Sequence, residues 1–322
     1  MLLHRLNQLR EVTLSLSNKT LADIPGFLGY GLGGVCQRAE HAQQPGDILP
    51  NLKSVALKLK LSFGVGSGVW FSNSMLLCLA SLSTSLTEIQ VVDGHFYDLN
   101  NDVYGLGATF LNLNNLILRN VSITSKCLGE FLSSFPNLSS FTLQSSIISH
   151  PLGLARVETP RGVVHGLKRH YEGLRKLCLE LDPMADEACP NDECITTLKD
   201  FVNLEDLQID AWSIDHDADD IDDSGSDNGN EFGGDDGQQT AKVPALRALP
   251  ASLKRLCIKG ADSGTIEQSI NWLMMNLKDS LPNLEELEIS GAISVTSQAS
   301  AAMEKLGIKF RYCWVDTVDT GW

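Results

Sequence analysis

The chain has 322 residues, of which 43% are hydrophobic and 20% are charged, so it carries enough apolar material for a large continuous core. Its formal charge of −15 and its pI near 4.8 argue against nucleic-acid binding, because affinity for phosphates depends on clustered Lys and Arg. The sequence shows no signal peptide and no apolar run of about 18 residues, which predicts a cytoplasmic or nuclear protein that does not contact a membrane.

The first predicted element is a short apolar segment, residues 1–6, that is typical of the end of a helix. The first copy of a repeated pattern follows it almost at once, although terminal units of repeat proteins need a polar cap. We therefore expect that an earlier unit is missing upstream.

The pattern Leu-x-x-apolar-x-apolar recurs nine times, with successive first leucines 25 to 49 residues apart. In each copy the last two apolar residues alternate with polar ones, as a half-buried strand requires, and the leucine packs where the chain enters the strand. The copies are Leu9-Val12-Leu14, Leu52-Val55-Leu57, Leu86-Ile89-Val91, Leu113-Leu116-Leu118, Leu138-Phe141-Leu143, Leu174-Leu177-Leu179, Leu204-Leu207-Ile209, Leu253-Leu256-Ile258 and Leu284-Leu287-Ile289.

The stretches between copies have helical spacing, as in Leu128, Phe131, Leu132 and Phe135 and again from Ile266 to Leu281. A proline stands two or three residues before four of the repeat leucines, where it ends a helix and favours extended backbone. Alternating strands and helices predict a parallel sheet.

The fold class is therefore predicted to be α/β, an irregular leucine-rich-repeat solenoid or horseshoe, with parallel strands on the concave face and helices or loops on the convex face. One solenoid is expected over residues 1–322, with about nine repeats over 9–289 and a capping strand over 307–315. The alternative is an ordinary α/β domain in which leucine-rich strands merely recur.

Polar residues between the apolar strand positions are expected to face the concave surface. Early repeats offer small neutral groups there, whereas later repeats carry charges that alternate in sign: Arg175 and Lys176, then Glu205, Asp206 and Asp210, then Lys254, Arg255 and Lys259, then Glu285, Glu286 and Glu288. Neighbouring strands are close enough for these charges to pair across the sheet. They form either a self-satisfied ladder of ion pairs or a striped patch that orients a protein partner.

Residues 213–242 are predicted to be a disordered acidic insertion, because their acidic run offers too little apolar surface for ordering. Asp220, Asp222, Ser224, Gly225, Asn228 and Glu231 match the ligand spacing of a calcium-binding loop, but Asp227 stands where an apolar residue belongs. A solvated linker, or an electrostatic attraction for a basic partner, is the favoured interpretation.

Motifs for nucleotide binding, zinc hydrolysis and nucleophilic catalysis are lacking, so we predict a chain that is not an enzyme and holds no cofactor. The eight cysteines are read as reduced thiols. The pairs Cys189 and Cys194, and His165 and His170, lack zinc-site spacing, and no metal is predicted there.

The uneven spacing, the Leu-Pro-Asn-Leu segments that begin at Leu49 and Leu281, and the Leu-Glu-Glu-Leu-Glu-Ile strand at Leu284 resemble the repeat region of fungal F-box and leucine-rich-repeat proteins. The resemblance implies a substrate-recognition region of a ubiquitin ligase, whose F-box docks on the Skp1 adaptor of a cullin. No F-box segment precedes the first repeat here, so Skp1 and cullin are expected only if an F-box is supplied elsewhere.

Three hypotheses for function follow. The first is a protein-binding scaffold of the substrate-recognition type. The second is an acidic repeat protein that binds basic proteins such as histones through the loop from Asp215 to Asp236. The third is an enzyme of an unfamiliar kind, for which the sequence offers no residue to name.

Overall fold

The computed structural model describes residues 8–17, 49–60, 70–71, 83–96, 110–123, 125–145, 159–181, 194–214, 248–261, 270, 273–274, 276–291, 301 and 303–314. These residues contain one sheet of eleven strands, all of whose pairings are parallel. The strands are β1 (Glu11–Ser17), β2 (Ser54–Lys60), β3 (Trp70–Phe71), β4 (Glu88–Phe96), β5 (Asn115–Ser122), β6 (Ser140–Ser145), β7 (Lys176–Leu181), β8 (Asp206–Asp210), β9 (Arg255–Ala261), β10 (Glu286–Gly291) and β11 (Lys309–Trp314).

Ten of the strands lie side by side in chain order, from β1 at one edge of the sheet to β11 at the other. The eleventh, β3, pairs with the end of β4 beyond the part that β2 covers. Each of the nine predicted copies corresponds to one strand, and β11 lies within the span 307–315 that was expected to hold a final strand. The predicted α/β class with a parallel sheet is confirmed.

Helices are few and short in the described parts of the chain. They are α1 (Ser125–Leu132), α2 (Pro160–Gly166) and α3 (Leu277–Ser280), together with 3-10 turns at Leu167–His170 and Ala211–Ser213. α2 begins where Thr159 caps it, its hydroxyl oxygen accepting from the Gly162 N–H at 3.1 Å, and Pro160 fills the first helical position. Within these residues, no helix has the length and apolar character needed to span a bilayer.

The core is built from repeat positions that are buried in one strand after another. The two apolar residues of each copy stand in register from strand to strand, as in Leu177, Leu207 and Leu256. From β2 to β10 they are no more than 2% exposed, and helical side chains such as Phe131 and Val163 belong to the same cluster. The helices therefore pack on the apolar face of the sheet.

Both edge strands differ from the inner ones. Val12 and Leu14 on β1, and Phe310 and Tyr312 on β11, pack against the core but are only partly buried. An inner strand has a neighbour on each side, whereas each edge strand has one. Apolar burial is therefore greatest in the middle of the array.

A second repeating contact lies where the chain enters the strands. The asparagine directly before a repeat leucine donates from Nδ2 to a main-chain carbonyl of the preceding repeat. The residue that supplies this carbonyl stands two positions before the leucine of that preceding repeat. The four donor–acceptor pairs and their distances are Asn112 to Thr84 at 2.6 Å, Asn137 to Leu111 at 2.7 Å, Asn203 to Glu172 at 2.8 Å and Asn283 to Ala251 at 2.9 Å. This asparagine ladder satisfies carbonyl groups that the sheet leaves unpaired.

Three strands also share a left-handed residue two positions after their second buried apolar residue. Asp93, Asn120 and Gly260 have φ values of 60°, 51° and 66°. Asp, Asn and Gly are the residue types that tolerate this conformation best. The backbone therefore departs from the extended conformation at the same point of β4, β5 and β9.

The predicted acidic insertion is described only at its first two residues. Ser213 and Ile214 are buried, at 0% and 3% exposure. The rest of the insertion, with the residues of the calcium-like spacing, lies outside the described residues.

Candidate functional site

The open face of the sheet consists of the strand side chains that alternate with the buried apolar ones, and so point away from the helices. Because the strands share one register, these side chains form three rows that cross the sheet. Lys176, Asp206 and Arg255 belong to the first row, Cys178, Gln208 and Cys257 to the middle row, and Asp210 and Lys259 to the last row. The residue just before each strand adds a flanking position, as at Arg175, Glu205, Lys254 and Glu285.

The open face is strongly charged from β7 to β11. It carries seven cations, Arg175, Lys176, Lys254, Arg255, Lys259, Lys309 and Arg311, and seven anions, Glu180, Glu205, Asp206, Asp210, Glu285, Glu286 and Glu288. The formal charges of this half therefore cancel, although the whole chain carries −15.

Ion pairs connect adjacent strands of this half. The carboxylate of Glu205 lies 3.4 Å from Arg175 and 3.2 Å from Lys254, and so joins β7 to β9 across β8. Glu286 on β10 likewise lies 3.4 Å from Lys309 and 3.5 Å from Arg311 on β11.

Arg255 is the most highly connected cation. Its guanidinium lies 3.8 Å from Asp206 on β8, and 4.0 Å and 3.5 Å from Glu286 and Glu288 on β10. One planar group thus ties two acidic strands together. Each such pair at a partly exposed surface contributes about 0–1 kcal/mol, so the network orders the face more than it stabilises the fold.

Glu180, near the end of β7, also contacts side chains of several strands. Its Oε2 accepts from Gln144 Nε2 at 2.7 Å, and its Oε1 accepts from Gln208 and Lys259. Burial disfavours the charge of Lys259, but the hydrogen bond and the charge of Glu180, with smaller contributions from Cys257 and Cys178, together outweigh this and raise the pKa of Lys259. Glu180 thereby joins strands β6 to β9.

The thiols of the middle row are held in their protonated form. Burial, with the nearby charge of Glu180, raises the pKa of Cys178 to about 12. Burial, with Glu288, raises the pKa of Cys257 to about 11. Near neutral pH these side chains act as small apolar groups within the charged rows.

The structure brings together ten of the eleven charged residues that the sequence singled out. Nine of them take part in ion pairs, and Asp210 accepts the Leu181 N–H. Glu285 is exposed and makes no ion pair with any described residue. The mutual pairing that the alternating charges suggested is present.

Sequence reasoning missed Glu180, Lys309 and Arg311 as members of the network. Glu180 follows the second apolar residue of its copy, the position that Asp210 and Lys259 occupy in theirs, but only Arg175 and Lys176 were considered in that copy. Lys309 and Arg311 were assigned only to the capping strand. Comparing that position in every strand, and including β11, finds all three.

The other half of the open face is less neutral than the sequence suggested. Small groups such as Ser54 and Asn115 are present, and both donate to Glu88, at 2.9 Å and 2.6 Å. However, two exposed cations, Lys58 on β2 and Arg119 on β5, lie in the last row. The small neutral groups expected in the early repeats are therefore accompanied by charged ones.

The histidine and cysteine pairs weighed as metal ligands are only partly described. His165 is exposed, whereas His170 is buried with its Nε2 at 3.2 Å from the Leu132 carbonyl, and burial lowers its pKa. Cys194 is buried, and Cys189 lies outside the described residues. No group of three or more His, Cys, Asp or Glu residues suited to a metal ion is found within the residues the structure covers.

The chain matches no protein-family model and no curated protein sequence.

Proposed function

We propose that the chain is a non-catalytic protein-interaction scaffold, an irregular leucine-rich-repeat solenoid that holds another protein on the open, concave face of its sheet. The observation that supports this most strongly is the common register of ten strands, which places their outward side chains in continuous rows. Such a surface is long, regular and rich in polar side chains, as the binding surfaces of repeat proteins are.

The contacts within the face favour binding at low entropic cost. Side chains such as Arg255 and Glu180 are already held by several neighbours before any partner arrives. A partner therefore has fewer mobile side chains to order on association. The buried strand residues beneath keep the backbone of the rows in place.

The proposed biological role is substrate recognition of the kind carried out by the repeats of F-box proteins in cullin ubiquitin ligases. The support is the sequence resemblance of the repeats, together with the parallel sheet that they form. Skp1 and cullin are partners in this proposal only if an F-box is supplied elsewhere.

The proposal is tested by affinity purification of the tagged chain from its own cells, with mass spectrometry of the captured proteins. Thr142 lies in the middle row of β6, so Thr142→Arg places a bulky charge at the centre of the open face. Ser133→Arg is the matched control, because Ser133 is exposed in the turn after α1, on the helical side. We expect Thr142→Arg to lose partners that Ser133→Arg retains.

Equal capture by both variants would reject the open face as the binding surface. Recovery of Skp1 and cullin subunits with the native chain would support the ligase role, and capture of other partners alone would remove it. The folded state of both variants is checked by circular dichroism.

The alternative is that basic proteins bind the acidic segment from Asp215 to Asp236. Both flanks of this segment are anchored close together: the Ile195 N–H donates to the Ser213 carbonyl, and the Leu198 N–H donates to the Ala248 carbonyl, each at 2.9 Å. A short Gly-Ser linker can therefore replace residues 215–247 without moving either flank.

If this alternative holds, the linker variant loses histone binding, and the native chain shows binding that falls steeply with salt. Binding that survives the replacement would exclude it. Unlike the Thr142→Arg test, this measurement leaves the open face unchanged.

A further inference from the structure

The cations of the open face fall into two groups. All seven on β7 to β11 lie in ion pairs. By contrast, the exposed cations of the other half, Arg10, Lys53, Lys58 and Arg119, form no ion pair with any residue that the structure describes, and of these Lys58 on β2 and Arg119 on β5 lie in the last row. These two cations are available to an external anion.

The register fixes how the two cations are arranged. Lys58 pairs in register with Val92 on β4, and Val92 pairs with Arg119 on β5. Two strand spacings separate Lys58 from Arg119, which puts their Cα atoms roughly 10 Å apart. The cations therefore flank an apolar residue in the last row.

A second apolar side chain extends this spot. Ile117 stands two residues before Arg119, in the middle row, and is a diagonal neighbour of Val92. Both Val92 and Ile117 are only partly buried, unlike the apolar residues on the opposite face of the same strands. An apolar surface with a cation on each side is thus open on β4 and β5.

The nearby carboxylates accept hydrogen bonds from neutral side chains. Glu88 lies at the other end of β4 and accepts from Ser54 and Asn115. Asp93 accepts from Asn120 Nδ2 at 2.9 Å. Neither carboxylate forms an ion pair with Lys58 or Arg119, so the charges of both cations stay unpaired among the described residues.

We propose that Lys58, Val92, Ile117 and Arg119 form the recognition site for an acidic peptide segment of the partner protein, in which two acidic side chains flank an apolar one. The apolar residue packs on Val92 and Ile117, and the two carboxylates pair with the ammonium and the guanidinium. This inference rests on the proposed function, since it names the partner chemistry of the same open face. It places the unpaired charges that select the partner on β2 to β5, beside the self-paired ladder of β7 to β11.

The test uses purified native chain and a phage-displayed library of random peptides. We expect selected peptides to carry Asp or Glu on both sides of an apolar residue. The double substitution Lys58→Ala/Arg119→Ala should weaken the binding of these peptides about tenfold, since each exposed charge pair contributes modestly to affinity. Fluorescence polarisation measures this change.

Arg175→Ala with Lys176→Ala is the matched control, because it removes the same charge from exposed cations that already have partners. Its affinity for the selected peptides should stay within about twofold of native. Lys58→Glu with Arg119→Glu should reverse the selection towards Lys-rich and Arg-rich peptides.

A library that yields no acidic consensus, or acidic peptides that bind the Lys58→Ala/Arg119→Ala chain as tightly as the native chain, would overturn this site. A partner protein lost by Thr142→Arg but retained by Lys58→Ala/Arg119→Ala would do the same, while leaving the proposed function in place. Conversely, if no captured partner is sensitive to Thr142→Arg, the proposed function itself fails.

Discussion

Two buried or partly buried serines show how a hydroxyl group's contribution depends on its hydrogen bond. Ser213 is fully buried in the 3-10 turn that follows β8, and its hydroxyl has no hydrogen-bond partner among the described residues. Ser252 donates to the Leu204 carbonyl at 2.8 Å and so takes part in the contact between successive repeats. A buried hydroxyl without a partner costs free energy, whereas a satisfied one contributes it.

Replacement of these serines should therefore shift stability in opposite directions. We expect Ser213→Ala to raise the free energy of unfolding by about 1 kcal/mol, because it removes an unsatisfied group, and Ser252→Ala to lower it by about the same amount. Urea denaturation followed by circular dichroism measures both. A loss of stability in Ser213→Ala would show that this hydroxyl has a partner.

At the scale of the element, β10 depends on charges supplied by its neighbours. Desolvation opposes ionisation of Glu286, but the hydrogen bond and charge of Lys309, with Arg311 and Arg255, hold the pKa of this carboxyl below its ordinary value near 4.5. A lowered pKa means that the folded state favours the carboxylate. Its stabilising contribution is present above the unfolded pKa and is lost as pH falls through the folded pKa.

Glu286→Gln should thus lower the melting temperature at pH 7, and the difference from the native chain should close as the pH falls below about 4. The control is Glu285→Gln, since the neighbouring Glu285 is exposed and unpaired among the described residues. Thermal melts at several pH values measure the difference in melting temperature between each variant and the native chain. An equal effect of both substitutions would rule out a special role for the Glu286 pairs.

Nine of the strands were predictable from sequence because each of them carries two apolar residues at a spacing of two, preceded by a leucine. Residues such as Leu174, Leu177 and Leu179 identify a half-buried strand without any knowledge of its neighbours. In contrast, β3 has only two residues, Trp70 and Phe71, and no periodic pattern can identify so short a strand.

The sites depend on relations between strands, which sequence spacing does not contain. The asparagine ladder escaped notice because its acceptors are main-chain carbonyls, which leave no mark in the sequence. Lys58 and Arg119 are 61 positions apart, and only the register shows that Val92 lies between them. The alternating charges of later repeats were visible because their partners fall at the same repeat position.

At the scale of the whole molecule, each strand pairs only with its neighbours, so stability should vary along the array. Leu207 on β8 is fully buried, whereas Leu14 on the edge strand β1 is partly exposed. We expect Leu207→Ala to cost about 2–5 kcal/mol, as core truncations do, and Leu14→Ala clearly less.

Hydrogen exchange provides the matching measurement in the native chain. Amides of β5 to β8 should exchange most slowly, and those of β1 and β11 fastest, because the middle strands have neighbours on both sides. Uniform exchange rates over all strands would indicate that the array unfolds only as one unit.

The equal numbers of cations and anions on β7 to β11 also determine the distance at which a partner can sense this surface. Stripes of opposite charge that alternate from one strand to the next cancel each other over a distance comparable to the strand spacing, about 5 Å. This is shorter than the Debye length of about 8 Å at physiological ionic strength. The stripes therefore neither attract nor repel an approaching molecule at long range. Their alternating charges affect binding only once the two surfaces are in contact.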